Sequence, residues 1–215
     1  MPVFLGAQMK EYRTILNESH DEFVEKKSRF IGYVKPVATQ QQANDFIAQI
    51  KSKHWDATHN VWAYVLRDGN IQRYSDDGEP QGTAGIPVLD VILKENLTDC
   101  AVVVTRYFGG TLLGAGGLVR AYSHGSKIAL EAGKMITMAP CKTAKIECDY
   151  NFYNRLLIIL EESGAVIENS DFAEIVCVEF YIKEADFDGL SDKIFDISRG
   201  KYKPYSTGEK FCALL

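Results

Sequence analysis

The sequence predicts a two-domain α+β protein, and three observations predict it. The chain has 215 residues, more than one average domain of roughly 100–200 residues. Its last third reads as strands and helices in the order βαββαβ, the ferredoxin-like split unit. Its first two thirds mix strand and helix patterns around Cys100–Phe108, a nearly continuous apolar run that fits a central strand buried on both faces. A proline and a change in charge balance coincide near Ala139–Thr143, so the domains are placed at 9–140 and 141–215.

In the first domain, strands are expected at Tyr12–Asn17, Glu22–Glu25 and Arg29–Val37, the last ending at Pro36, which cannot donate to a ladder. A helix over Thr39–Lys53 sets Ala43, Phe46, Ile47 and Ile50 on one side. Strands Asn60–Leu66 and Ile71–Tyr74 flank Asp68-Gly69-Asn70, a hairpin signal. A polar loop leads to a helix over Thr83–Glu95, with Thr83 as its expected cap. The Cys100–Phe108 strand, a glycine-rich turn over Gly109–Gly117 and a helix over Leu118–Glu131 complete the domain.

In the second domain, Ala144–Tyr150 alternates as a strand, and Asn151 is expected to cap a helix carrying Leu156, Leu157, Ile159 and Leu160 on its apolar face. Gly164 stops that helix. Strands Ala165–Ala173 and Ile175–Lys183, a helix from Asp186 to Ser198 and a strand over Tyr202–Leu215 follow. Two helices on one sheet face leave the other open, a surface of the kind that binds RNA or protein.

Hydrophobic residues make up 46% and charged residues 25%, enough to bury cores, which excludes a disordered tail. No apolar run approaches the roughly 18–20 residues of a membrane span, and no secretory apolar region is present, so a cytoplasmic protein is expected. Met1–Gln8 is expected to be a leader ahead of a start at Met9. The five cysteines form no Cys-x-x-Cys and have no histidine at metal spacing, so they read as buried reduced thiols. Net charge is −5: residues 1–140 hold 15 basic and 15 acidic side chains, residues 141–215 hold 9 and 14. The acidic second domain is a poor phosphate binder, so nucleic-acid contact is expected from a local patch on the first.

The sharpest chemical feature is Arg106-Tyr107-Phe108-Gly109-Gly110-Thr111-Leu112-Leu113-Gly114-Ala115-Gly116-Gly117-Leu118. Gly109, Gly110, Gly114, Gly116 and Gly117 lie between a buried strand and a helix. Glycines let the backbone take positive φ and let a ligand approach main-chain N–H groups. The helix N-terminus adds partial positive charge. Together they suggest an anion-binding nest, with Arg106 and Arg120 as the nearest cations for bidentate pairing; the alternative is a tight strand-to-helix turn. A P-loop is excluded because Ala115 stands where Lys is needed, and a dinucleotide fingerprint because Val119 stands where Gly or Ala is needed.

Asp76, Asp77 and Glu79 crowd the loop before the Thr83–Glu95 helix, a set that could hold Mg²⁺ with a substrate phosphate. The alternative is a solvated turn. Lys27 and Arg29, in Lys26-Lys27-Ser28-Arg29 with Phe30 and Tyr33 nearby, suggest a small phosphate-backbone patch or charged edge residues. Of the histidines, His59 is the most interesting, at the start of a strand; no hydrolytic triad is assembled.

The strings Lys27-Ser28-Arg29-Phe30-Ile31, Ser75-Asp76-Asp77-Gly78-Glu79-Pro80-Gln81-Gly82-Thr83-Ala84-Gly85-Ile86-Pro87, the run from Val103 to Gly114 and the run from Gly116 to Tyr122 closely resemble the YigZ/IMPACT family. The resemblance spans the first domain. The second is similar to the βαββαβ module of bacterial members, itself similar to the fifth domain of elongation factor G. The resemblance implies a ribosomal-protein-like first domain with a left-handed βαβ crossover, against the general right-handed rule. It implies that eukaryotic relatives are translational regulators binding a ribosome-associated activator of an initiation-factor kinase, and it transfers no catalytic residue. The expected function is translation-linked binding of RNA, a ribosome, a translation factor or a nucleotide through the glycine turn, leaning away from catalysis. The alternatives are a metal-assisted phosphohydrolase or phosphoryl-transfer enzyme and a partner-binding module whose glycines are architectural.

Overall fold

A computed structural model describes residues 10–214. The expected leader, residues 1–8, lies outside the described residues. The chain forms two compact units, one over Tyr12–Thr137 and one over Met138–Leu214.

The first unit contains β1 (Tyr12–Ile15), β2 (Ser19–Glu25), β3 (Ser28–Pro36), α1 (Gln40–Lys53), β4 (His59–Leu66), β5 (Ile71–Ser75), α2 (Gly85–Lys94), β6 (Cys100–Tyr107) and α3 (Ala115–Gly133). Its sheet runs β2-β3-β6-β4-β5. Both β3 and β4 pair antiparallel to β6, so they are parallel to each other with β6 between them. The connection β3-α1-β4 is therefore a βαβ crossover spanning one strand.

Every residue of β6 from Cys100 to Arg106 is buried, which places the apolar run at the sheet centre as its composition requires. Alternation divides its side chains. Cys100, Val102 and Val104 join Phe30, Val88, Leu118 and Tyr122 in the core beneath α2 and α3, whereas Ala101 and Val103 join Ile31, Phe46 and Ile50 in the core beneath α1.

The N-termini of the helices show where local reading misses. Thr39 caps α1, accepting the Gln42 N–H at 3.2 Å. Thr83 does not cap α2. Asp76, eight and nine residues upstream, accepts the Ala84 and Gly85 amides at 3.1 and 2.8 Å and the Gly82 amide at 2.9 Å. α3 starts at Ala115, three residues before the expected Leu118, because Gly114 turns the chain at φ 73° and its carbonyl accepts the Leu118 N–H. Two glycines thus sit inside the first turn, where propensity alone argues against a helix.

The second unit contains β7 (Met135–Cys148), α4 (Tyr150–Glu162), β8 (Val166–Phe172), β9 (Val176–Lys183), α5 (Glu184–Ile197) and β10 (Tyr205–Leu214). β7 pairs with β1, β9 and β10, and β9 with β8; the strands and helices from β7 to β10 follow the βαββαβ connectivity read from the sequence. α4 is capped by Asp149, which accepts the Phe152 N–H at 2.9 Å, rather than by Asn151. Leu156, Ile159 and Leu160 of α4 and Phe187, Leu190 and Ile194 of α5 pack on Val176, Val178 and Phe180 of β9. β7 begins at Met135 and runs unbroken through the segment expected to join the domains, and the compact units divide between Thr137 and Met138 rather than after Pro140. The alternating burial along β7 continues through Pro140, so the proline does not end the strand. All five cysteines are free thiols; burial pushes Cys100 up to about 12.

Candidate anion-binding cleft

Three strands align one row of side chains on the face covered by α2 and α3. Phe30 of β3 and His59 of β4 both lie opposite Arg106 of β6, and opposite residues in a ladder point to the same face. Glu79, on the loop before α2, reaches this row. Its Oε1 lies 2.6 Å from Arg106 Nη1, accepts the Tyr122 hydroxyl of α3 at 2.8 Å and stands 3.8 Å from His59 Nε2. Arg106 is 5% and Glu79 8% exposed. In so dry a place each charge requires the other. The Arg106 guanidinium also lies 5.5 Å from the Phe30 ring centroid and 5.4 Å from that of Phe108. Burial and the neighbouring carboxylate push the Tyr122 phenol up, so it remains an O–H donor. The His59 Nδ1 lies 2.8 Å from the Asp77 carbonyl oxygen. A carbonyl only accepts, so Nδ1 holds the proton and Nε2 is turned toward Glu79.

Above this row is a cleft of about 430 Å³ between the acidic loop and the glycine turn. Thr58, His59, Glu79 and Arg106 supply its polar lining, and Phe108, Leu112, Leu113 and Leu118 much of its apolar lining. Gly114 and Ala115 bring the start of α3 to its edge. Two sequence motifs more than twenty residues apart therefore meet across one cavity.

The glycines divide into three roles. A Cβ on Gly109 would lie 2.0 Å from the Lys27 backbone, and one on Gly117 2.9 Å from the Leu113 Cβ, so these two permit close packing. Gly110 and Gly114 adopt φ of 80° and 73°, which other residues take at a cost. Gly116 is exposed, with nothing nearer to its Cβ position than Arg120 Nη1 at 3.8 Å. The turn thus faces outward around Gly110–Leu112 and Gly114–Gly116.

The cations expected beside it separate. Arg106 is not a free clamp, because its Nη1 is held by Glu79; its Nε, also buried, has no hydrogen-bond partner. Arg120 is exposed on α3 and near the first turn. Lys27 lies at the tip of the β2–β3 hairpin, where Lys26 and Lys27 form a two-residue turn with φ of 46° and 68° packed on Gly109. Arg29 does not join them. It faces the α1 side of the sheet and pairs with Glu22 at 2.6 Å. Lys27 belongs to the turn at positive φ and Arg29 to β3, so the two-residue alternation of the strand does not carry back to Lys27.

The three carboxylates expected to share Mg²⁺ hold three different partners. Asp76 takes backbone amides at the start of α2, Asp77 takes Lys51 Nζ at 2.6 Å and the Asn60 N–H at 2.7 Å, and Glu79 takes Arg106 and Tyr122. Among the described residues no group of three His, Cys, Asp or Glu converges as a metal site.

Sequence reasoning missed a second network on the α1 face. His54, the C-terminal cap of α1, lies 2.7 Å from the Tyr33 hydroxyl through Nε2 and 2.8 Å from that of Tyr107 through Nδ1. Tyr107 donates to Asp56 Oδ1 at 3.1 Å. Its oxygen is then free to accept from His54 Nδ1–H, and Tyr33 donates to Nε2, which fixes a neutral imidazole. Burial, foremost, lowers the His54 pKa. No sequence spacing links these residues, which come from β3, the end of α1 and β6.

The fold and the site define a class: a two-unit α+β protein whose first unit brings a glycine turn and an acidic loop to one cleft. Comparison with known proteins gives the particular family. Residues 26–130 match the Impact N-terminal domain and residues 146–201 a domain of unknown function, DUF1949. The chain is 38% identical to the IMPACT family member YvyE of Bacillus subtilis over 90% of its length and 89% of the relative's. It is 34% identical to the IMPACT family member YigZ of Escherichia coli over 81% of this chain and 87% of that one. Protein IMPACT of Bos taurus is 33% identical over 42% of this chain. A crystal structure of a hypothetical protein matches with a TM-score of 0.58 and 30% identity, covering 93% of this chain and 98% of the other. The chain belongs to the IMPACT family. Among the described residues, no helix is long and apolar enough to cross a membrane.

Proposed function

We propose that this is a translation-linked binding protein that contacts RNA, including RNA on the ribosome, through the glycine turn and the start of α3. The observation that supports it is the outward-facing N-terminus of α3, preceded by open glycines at 110 and 114 and accompanied by the exposed Arg120. Backbone N–H groups and the helix dipole favour a phosphate there, and membership of the IMPACT family supports the link to translation. With Asp76, Asp77 and Glu79 each engaged by the protein itself, binding is favoured over metal-assisted phosphoryl transfer.

Filter binding with single-stranded RNA across a salt series, together with ribosome co-sedimentation, tests this reading. Binding should weaken with salt, and Arg120→Ala should lower affinity and reduce the salt slope by about one. Wild-type protein that binds neither RNA nor ribosomes at low salt would defeat it.

A further inference from the structure

We propose that the cleft beside the glycine turn binds a nucleoside monophosphate group, its phosphate at the start of α3 and its base against Phe108 and Leu112. The inference deepens, and rests on, the anion-binding reading of that turn. Three observations support it.

The first is the phosphate end. α3 begins at Gly114 and Ala115 on the cleft edge with no side-chain cap and no acidic residue in its first turn. Its leading amides have no partner within the helix. The second is Arg106. It lines the same cleft and is 5% exposed, yet its Nε has no acceptor, the one such buried side-chain atom among the described residues. A desolvated donor left unpaired is costly and rare in folded proteins. An oxygen-rich ligand in the cleft supplies the missing acceptor.

The third is the apolar rim. Leu112 is 83% and Phe108 45% exposed, both on the turn and both lining the cleft. Large apolar side chains grouped at a cavity mouth mark a recognition surface, and an exposed aromatic ring is a stacking platform for a base. His59 puts a polar edge beside this rim. The volume, about 430 Å³, lies at the lower end of the ligand-pocket range. It suits one ring system and one anionic group rather than a dinucleotide. The same chemistry is offered by a free mononucleotide and by the 5′-phosphorylated end of an RNA strand.

Isothermal titration with AMP, UMP, adenosine and inorganic phosphate tests the proposal on the full chain. Both mononucleotides should bind, with adenosine and phosphate each weaker by about tenfold or more. Leu112→Ser, at a solvent-exposed position, should weaken AMP severalfold and leave phosphate unchanged. Gly116→Glu places a carboxylate in the first turn of α3 and should remove AMP and phosphate binding together while the far-ultraviolet circular dichroism stays native. Adenosine binding as tightly as AMP, or no mononucleotide binding by folded wild-type protein at millimolar ligand, overturns the proposal. A 5′-phosphorylated oligoribonucleotide that outbinds its 5′-hydroxyl twin identifies RNA ends as the source; indifference to that group, with AMP still bound, identifies the free nucleotide. Mononucleotide binding without RNA or ribosome binding sinks the translation-linked reading alone. RNA binding that AMP does not compete and Leu112→Ser does not alter sinks this inference alone.

Discussion

Helices α2 and α3 pack into one core, yet their N-termini are treated differently. At α2 the Asp76 carboxylate reaches across eight residues to accept the first amides. At α3 no side chain does this, and the chain opens on glycine instead. The same orphan donors exist in both places. The difference teaches that one helix end is completed by a distant side chain of the protein, whereas the other has no side-chain cap, which is the feature the proposed phosphate site draws on.

The contrast can be broken at four points. The largest effect belongs to Glu79, which ties the loop before α2 to β6 and α3. Glu79→Ala leaves the Arg106 charge buried and unpaired and should cost about 3–5 kcal/mol, read by urea denaturation; a loss under about 1 kcal/mol would contradict the dry pairing described. Next is Asp76→Ala. It removes an acceptor serving three amides and should destabilise by about 2 kcal/mol, while leaving intact the RNA binding proposed for α3.

Gly116→Glu should have the opposite sign. Replacing a helical glycine and placing a carboxylate in the first turn of α3 should stabilise the protein by about 1 kcal/mol. RNA binding should fall. Unchanged or tighter RNA binding would mean that α3 presents no anion site.

The smallest effect lies on the far face of the sheet and serves as the reference. His54 has a folded-state pKa below its ordinary value of 6.5. Below that pH the unfolded chain takes up a proton that the folded one resists. Stability is fully present above about pH 6.5 and falls as the pH drops toward the lowered folded value. Urea midpoints from pH 7.5 to 5.5 should decline in the wild type and less so in His54→Gln. Parallel declines in the two proteins would show that Tyr33 and Tyr107 do not hold the imidazole neutral.

Much of the fold was legible because burial leaves a periodic mark. The apolar run became the central β6, the alternation of Val176, Val178 and Phe180 became β9, and βαββαβ emerged in order. Helix ends were less legible. A cap eight residues away, as Asp76 is from Ala84, leaves no local signature, and Asp149 and Asn151 are both good capping residues by type. The meeting of the glycine turn and the acidic loop at one cleft agrees with the sequence reading, but the Arg106–Glu79 pair was not legible. Pairing between charges 27 residues apart is set by how the loop before α2 folds over β6, which the sequence does not display. The Tyr33–His54–Tyr107 chain was hidden as well.

Gly109 sits against the Lys26–Lys27 turn so tightly that a single methyl group would collide with the Lys27 backbone, and its N–H reaches Ser28 Oγ at 3.2 Å. Loops far apart along the chain therefore complete one another. The hairpin tip and the turn that follows β6 are packed into one local unit. In deuterated solvent their amides should lose protection together, as one cooperative patch, rather than as two independently fraying loops.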